Sequence, residues 1–242
     1  MATAIIPAFN EEESVGAVVD TARASPLIDA VLVADGGSDD QTVQAAEAAG
    51  ADTLVVAGGG KGEAMAAGVA ATDDDVIVFL DADLHGLRPD HIDRLVRSVA
   101  TGGAAMACGL FDRGRWMNPW FVHVGPVLTG ERALRRELFE SLAAEDTVGY
   151  RIEAALNARA AELDLPVAIF VCDGMWHRTK EEKADTPREG LRAKVAMLWT
   201  AWANSARFLL RRPVRRLRAS RSTGRSHASG PPPAERSTRP PA

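Results

Sequence analysis

Short apolar runs alternate with amphipathic segments along the first half of the chain. The runs, rich in Val, Ile, Leu and Ala, cover residues 2–7, 30–34, 52–57, 76–80 and 104–109. The segments between them place apolar residues three or four positions apart, as at Val15, Val18, Val19 and Ala22. The runs predict strands and the segments predict helices. Their alternation predicts an α/β fold with a mostly parallel sheet flanked by helices.

The run at residues 76–80 is followed directly by two carboxylates. Five consecutive apolar residues predict a strand buried on both faces. Side chains two apart in a strand point the same way, so Asp81 and Asp83 would face one ligand if the extended conformation continues. Carboxylates at the carboxyl edge of a parallel sheet suit a hard divalent cation. The alternative is a polar turn after a buried strand.

Three other predicted strands also end in loops with polar or glycine residues. Asn10 follows the first strand, and with Glu13 it predicts a capping box at the start of a helix. Asp35 ends the second strand and precedes two glycines, which permit close backbone approach to a ligand. Lys61 lies in a glycine-rich loop that can hold phosphate, although the loop lacks the P-loop pattern. The alternative for each loop is a plain turn with a capping side chain.

The second half predicts a different arrangement. A helix starts at Pro89, residues 110–129 lack a clear period, and helices are predicted over 131–142 and 149–163, followed by a strand over 167–171. A long apolar stripe from residue 188, closed by Arg, predicts a helix that packs on the domain or lies on a membrane. The Ser, Arg, Gly and Pro beyond Arg218 predict disorder. We therefore divide the chain into 1–186, 187–218 and 219–242.

Charge is distributed unevenly along the chain. Residues 207–242 hold ten Arg and one acid, a balance of +9 that leaves −14 for residues 1–206 out of a total of −5. This pattern does not predict a nucleic-acid partner, and it favours a metal-binding body with a tail that meets an anionic surface.

The cysteines and the apolar segments bear on the cellular compartment. Cys108 and Cys172 are predicted to be free, buried thiols. The sequence predicts neither a signal peptide nor a membrane span, hence a cytoplasmic protein, with peripheral attachment to the inner face of the cell membrane as an alternative.

Taken together, the loops resemble the nucleotide-sugar half of GT-A glycosyltransferases. Pro7-Ala8-Phe9-Asn10-Glu11-Glu12 resembles the P-x-x-N-E-E opening, residues 33–42 resemble the V-D-D-G-S-x-D-x-T loop, and Asp81-Ala82-Asp83 stands at the D-x-D motif. The segments around Lys61, Glu153 and His177 are similar to bacterial glucosyl-3-phosphoglycerate synthases. Residues 128–136 resemble a segment of polyprenyl-phosphate sugar transferases. The resemblance spans residues 3–183 and implies a GT-A, Rossmann-like fold.

The resemblance also implies roles for individual residues. It implies that the nucleotide sugar is bound by Pro7, Ala8, Phe9, Asn10, Glu11, Asp35, Gly36, Gly37, Ser38, Lys61, Asp81 and Ala82. It implies Mg²⁺ or Mn²⁺ held by Asp83, with Asp81 and His177 as further ligands. Asp83 and Glu153 are implied to be catalytic, and Asp146 or Glu145 is a candidate base. The alternative for the last two is that they are helix-start acids.

We expect a metal-dependent enzyme that moves a sugar from a UDP- or GDP-linked donor to a phosphate-bearing acceptor. Polyprenyl phosphate is the favoured acceptor, because residues 110–129 show no recognisable phosphoglycerate loop and because Trp116, Trp120, Phe121 and the C-terminal stripe suit a lipid. A small soluble acceptor such as 3-phosphoglycerate is the first alternative. A sugar-phosphate nucleotidyltransferase and a non-catalytic nucleotide-sugar binder are the others.

Overall fold

The fold is built on a sheet with mixed strand directions. The computed structural model describes residues 1–56, 58–114, 116–123, 129–147, 152–177 and 215–216. Within them the main sheet contains β1 (Ala2–Ala8), β2 (Ala30–Asp35), β3 (Asp52–Val55), β4 (Val76–Phe79), β6 (Met106–Phe111), β7 (Arg132–Arg135), β8 (Pro166–Cys172) and β10 (Arg215–Arg216). Their order is β10-β8-β6-β7-β4-β1-β2-β3. Only β7 runs antiparallel to its neighbours among these described strands, which confirms the mostly parallel prediction.

A two-stranded ribbon and a set of helices complete the described part. The ribbon pairs β5 (Leu84–His85) with β9 (Trp176–His177). The helices are α1 (Val15–Arg23), α2 (Thr42–Ala48), α3 (Lys61–Ala70), α4 (Pro89–Ala100), α5 (Asn118–His123), α6 (Arg136–Glu140), α7 (Ile152–Glu162) and a 3₁₀ turn at Ala144–Thr147. Within the described ranges no helix is both long enough and apolar enough to cross a bilayer.

The sheet separates two apolar cores. One contains Val18, Val78 and Leu95, and the other contains Met65, Ile77 and Leu156, so α1 and α4 cover one face while α3 and α7 cover the other. All four residues of β4 are buried, as its apolar run predicts. Both cysteines are buried and free, in agreement with the prediction.

The helix predicted over residues 131–142 is wrong at its start. The structure has a strand at Arg132–Arg135 and a helix only at Arg136–Glu140. This strand inserts between β4 and β6 and satisfies its backbone by pairing with both, from Phe79 opposite Arg132 to Met106 opposite Leu134. Pairing and burial thus override the helix propensity of Arg, Ala and Leu.

The capping box predicted at Asn10 is also wrong. The helix begins at Val15, and Asn10 adopts a left-handed conformation with φ 55°, which Asn tolerates better than most residues. Its side-chain Oδ1 accepts a hydrogen bond from Asp39 N at 3.1 Å. Asn10 therefore joins two loops instead of capping a helix.

Two further predictions concern the ends of elements. The strand before the D-A-D sequence stops at Phe79, and Ala82 and Asp83 lie in a turn, so the two carboxylates do not share one strand face. Residues 187–214 and 217–242 lie outside the described residues. Arg215 and Arg216 form a strand parallel to β8 where a helix was predicted.

Candidate active site

The loops after β1, β2 and β4 meet at one edge of the sheet. These strands are parallel neighbours, so their carboxyl ends lie side by side. Gly36 N donates to Ala8 O at 2.8 Å, and Asn10 N donates to Ser38 Oγ at 2.9 Å. Leu80 N, just before the D-A-D sequence, donates to Ile5 O at 3.2 Å. The structure therefore brings together the loops that the sequence singled out.

Asp35 organises the second loop from within. Its side chain is almost fully buried and accepts hydrogen bonds from Gly37 N at 2.9 Å, from Ser38 N at 2.8 Å and from the Ser38 hydroxyl. These bonds use three of the roughly four acceptor positions of a carboxylate. Asp35 therefore shapes the loop, and its predicted contact with a base or ribose stays a prediction.

The first loop is held by side chains of the second. Glu11 N donates to Thr42 Oγ1 at 2.8 Å, while Pro7 and Ala8 lie at the end of β1. Phe9 is 60% exposed and lies beside Gly36. A Cβ added to Gly36 would lie only 3.0 Å from Gly59 O. A small residue is thus needed where the two loops and the glycine-rich loop come together.

Lys61 joins two carboxylates from distant parts of the chain. It is the first residue of α3, and its Nζ lies 2.7 Å from Asp81 Oδ1 and 2.8 Å from Glu153 Oε1. Burial lowers the pKa of Lys61, but the charges of Asp81 and Glu153 outweigh it, so the pKa is raised and the ammonium stays charged. The sequence predicted each residue at the site but not this ion-pair triad, because no spacing links positions so far apart.

Asp81 and Asp83 have different surroundings. Asp81 pairs with Lys61, whereas Asp83 is half-buried in the turn that leads into β5. The register of β5 and β9 sets His177 opposite Leu84, the residue that follows Asp83 in the chain. The described residues contain no cluster of three or more His, Cys, Asp or Glu suited to a metal. A hard cation at Asp83 would therefore complete its shell with diphosphate oxygens and water, which fits the way Mg²⁺ is held.

A buried acid beneath this triad was missed in the sequence. Glu131 is fully buried, and among the described residues its Oε1 has no hydrogen-bond partner. The Thr129 hydroxyl contacts both Glu131 Oε2 and, at 2.7 Å, Gly109 O. A protonated Glu131 carboxyl would donate to the Thr129 hydroxyl while that hydroxyl donates to Gly109 O, so each contact would have its own proton. Burial, and then the charge of Asp81, raises the pKa of Glu131 to about 8, in agreement with a protonated carboxyl.

The candidate bases lie in a turn that packs on the two helices that carry Lys61 and Glu153. Glu145 and Asp146 belong to the 3₁₀ turn at Ala144–Thr147, which contacts α3 and α7. Glu145 is exposed and Asp146 is half-buried. The location of both acids in a short turn before α7 fits the alternative that they are helix-start acids. A role as catalytic base stays a prediction.

The mostly parallel sheet, the joined loops and the D-A-D turn are the features in which the sequence resembles GT-A glycosyltransferases. The model of glycosyl transferase family 2 matches residues 3–162, and the chain belongs to that family. Its structure is similar to that of glucosyl-3-phosphoglycerate synthase from Mycobacterium tuberculosis in complex with Mn²⁺, UDP-glucose and phosphoglyceric acid. The TM-score is 0.63 at 30% sequence identity, covering 74% of this chain and 72% of that one. This likeness confirms the predicted GT-A, Rossmann-like fold.

Two curated relatives extend the comparison. Glucosyl-3-phosphoglycerate synthase of Mycolicibacterium smegmatis is 36% identical over 120 residues, which are 45% of this chain and 40% of that protein. An uncharacterized glycosyltransferase of Mycobacterium tuberculosis is 28% identical over 207 residues, or 80% of this chain and 89% of that protein. The match to the synthases thus spans less than half of their length.

Proposed function

We propose that this protein is a metal-dependent glycosyltransferase that moves a hexose from a UDP-linked donor to a small phosphate-bearing acceptor. The observation that carries the proposal is the meeting of the Asp35 loop, the Asp83 turn and the Lys61 triad at one sheet edge. Support for the donor and for Mn²⁺ comes from the M. tuberculosis synthase, which was solved with UDP-glucose and Mn²⁺.

The site residues divide the work between nucleotide, diphosphate and sugar. The loops at Asn10 and Asp35 bind the nucleoside. Asp83, with His177 from the adjacent strand, would hold Mg²⁺ or Mn²⁺ beside the diphosphate, and the ion would supply positive charge to offset the negative charge of the departing nucleotide. Asp81 and Glu153 use one oxygen each on Lys61, so their other oxygens are available to sugar hydroxyl donors. Lys61 therefore acts by fixing two carboxylates rather than by neutralising phosphate itself.

The acceptor we propose differs from the one favoured by the sequence. Polyprenyl phosphate was expected from the aromatic residues at 116–121, but the relatives with a named acceptor use 3-phosphoglycerate. The comparisons therefore favour the soluble acceptor that the sequence left as its first alternative. A nucleotidyltransferase is disfavoured by membership of the glycosyl transferase family. Donor turnover distinguishes the enzyme from a non-catalytic binder.

A transfer assay tests the proposal. The full chain is incubated with UDP-glucose and Mn²⁺ and with either 3-phosphoglycerate or a short polyprenyl phosphate, and both UDP release and the glycosylated product are measured. We expect product with 3-phosphoglycerate and loss of product when the metal is chelated. Product only with polyprenyl phosphate would refute the proposed acceptor. Failure to use UDP- or GDP-linked sugars with any acceptor, including water, would refute the proposed function.

A further inference from the structure

Arg132 is a fully buried cation whose described contacts are to main-chain oxygens and a sulfur. Its Nε donates to Thr129 O at 3.1 Å, and its Nη2 donates to the same oxygen. Its Nη1 lies 3.3 Å from Glu153 O and 3.7 Å from Met106 Sδ. Removing a guanidinium from water costs several kcal/mol. Such a group at the centre of the sheet calls for a specific role.

The same short segment also supports the other carboxylate of the triad. Asp81 lies directly over Gly130, in the space that a Cβ on that residue would fill. Residues 129–132 therefore contact Asp81 through Gly130 and the main chain of Glu153 through Arg132. One stretch of four residues thus contacts both of the acidic residues that pair with Lys61.

We propose that Arg132 is a positioning residue that sets Glu153 at the distance from Asp81 at which Lys61 joins both. Its guanidinium binds the carbonyl of Glu153, the residue whose side chain pairs with Lys61. Arg132 therefore fixes the first turn of α7 against β7, which pairs with the end of β4. Arg suits this task because its planar fork binds Thr129 O and Glu153 O at once, whereas Lys offers a single point charge. The role in turnover rests on the proposed function, but the geometric role does not.

Arg136 provides a matched control. It follows β7 on the same segment, and its guanidinium also binds main-chain carbonyls, with Nε 3.0 Å from Asp74 O and Nη1 2.9 Å from Val69 O. Val69 lies in the last turn of α3, at the opposite end of the helix from Lys61, and Asp74 lies just before β4. Loss of Arg136 therefore removes a comparable set of hydrogen bonds without touching the triad.

The first readout does not require activity. Lys61 is paired and its side chain is only 15% exposed, so it should react slowly with an acylating reagent. We compare the full-length wild type with Arg132→Lys, Arg132→Ala and Arg136→Ala, and measure acylation of Lys61 by mass spectrometry. We expect roughly tenfold faster labelling in Arg132→Ala, a smaller increase in Arg132→Lys and no change in Arg136→Ala, since only the first two loosen the triad.

The second readout is kinetic. We expect Arg132→Ala to lower kcat by about 10–100-fold with KM for UDP-glucose within about threefold, because misplaced sugar contacts affect orientation more than binding of the nucleotide. Low millimolar guanidinium should restore part of the kcat of Arg132→Ala and should restore no activity in Arg136→Ala.

Two results would overturn the proposal. One is labelling of Lys61 at the wild-type rate in both Arg132 variants, and the other is labelling in Arg136→Ala as fast as in Arg132→Ala. If Arg132→Ala does not fold, Arg132→Lys decides by the same labelling. An inactive wild type would refute the proposed function, while labelling would still decide the role of Arg132.

Discussion

At the scale of single residues, the triad at Lys61 combines stability with function. Two carboxylates face one ammonium in a mostly buried setting, so Asp81 and Glu153 depend on Lys61 for their neutralisation. Breaking a buried ion pair by removing one partner typically costs about 3–5 kcal/mol.

We therefore predict that Lys61→Met lowers the free energy of unfolding by about 3 kcal/mol at neutral pH. Lys61→Arg is the control, since it keeps the charge, and it should lose less. Urea denaturation monitored by circular dichroism measures both. Equal stability of Lys61→Met and wild type would show that the two carboxylates do not need the ammonium.

Glu131 gives a prediction about pH. Because burial raises its pKa to about 8 in the folded protein, it keeps its proton there while the unfolded chain ionises above its ordinary value of about 4.3. Its contribution to stability is complete below the unfolded pKa and is lost as pH rises toward 8, by at most about 1.4 kcal/mol per pH unit. Glu131→Gln cannot ionise, so it should be more stable than wild type at pH 8 and should flatten the pH profile of urea unfolding. A wild-type profile with the same slope as that of Glu131→Gln would contradict a protonated Glu131.

At the scale of elements, β7 shows what local pattern cannot predict. Its residues Arg132, Ala133 and Leu134 favour a helix in isolation, and only the open position between β4 and β6 makes them a strand. The apolar runs of β1, β2 and β4 could be predicted because central parallel strands need continuous apolar sequence. Whether the D-A-D sequence extends β4 or forms a polar turn stayed open, because the sequence does not mark where pairing stops, and the structure has the turn.

The turn into β7 yields an element-scale prediction. Gly130→Ala places a methyl group where the Asp81 carboxylate lies, so Asp81 must move and the triad must rearrange. We expect kcat for UDP-glucose to fall by about 10-fold or more, since displacements near 1 Å already cost this much. Steady-state kinetics with UDP-glucose and 3-phosphoglycerate measures the effect.

Gly16→Ala is the control for that substitution. Gly16 is the second residue of α1, and a Cβ there meets its nearest neighbour at an ordinary 3.7 Å. This change should leave kcat unchanged and should not lower the free energy of unfolding. Unaltered kinetics in Gly130→Ala would mean that Asp81 is not held against this turn.

At the scale of the whole molecule, the sequence predicted which loops meet at one sheet edge, but it did not predict the contacts between their side chains. Asn10, Asp35 and Asp83 follow parallel neighbouring strands, and the rule that such ends share an edge placed them together. The Lys61 triad, buried Glu131 and buried Arg132 depend on pairings between distant segments, which no local pattern encodes. The predicted acceptor rested on the aromatic residues at 116–121, whereas the similarity to glucosyl-3-phosphoglycerate synthases favours the soluble alternative.

The basic C-terminal region supports a prediction about membranes. Ten Arg and one acid in residues 207–242 predict attraction to anionic surfaces, which salt should screen. We expect the full chain to co-sediment with phosphatidylglycerol vesicles at low salt and much less with phosphatidylcholine vesicles. Replacing Arg218, Arg221 and Arg225 with Ser should weaken the binding. Equal partitioning to both lipids would contradict electrostatic attachment.

The central claim is that Asp83 holds a divalent cation that joins the protein to the diphosphate. Calorimetric titration of UDP with and without Mn²⁺ tests it most directly, using wild type, Asp83→Ala and the control Asp73→Ala, which changes an exposed acid before β4. We predict that Mn²⁺ tightens UDP binding by about tenfold or more in wild type and Asp73→Ala, equivalent to at least about 1.4 kcal/mol, and has no effect in Asp83→Ala. Undiminished Mn²⁺ dependence in Asp83→Ala would contradict the account.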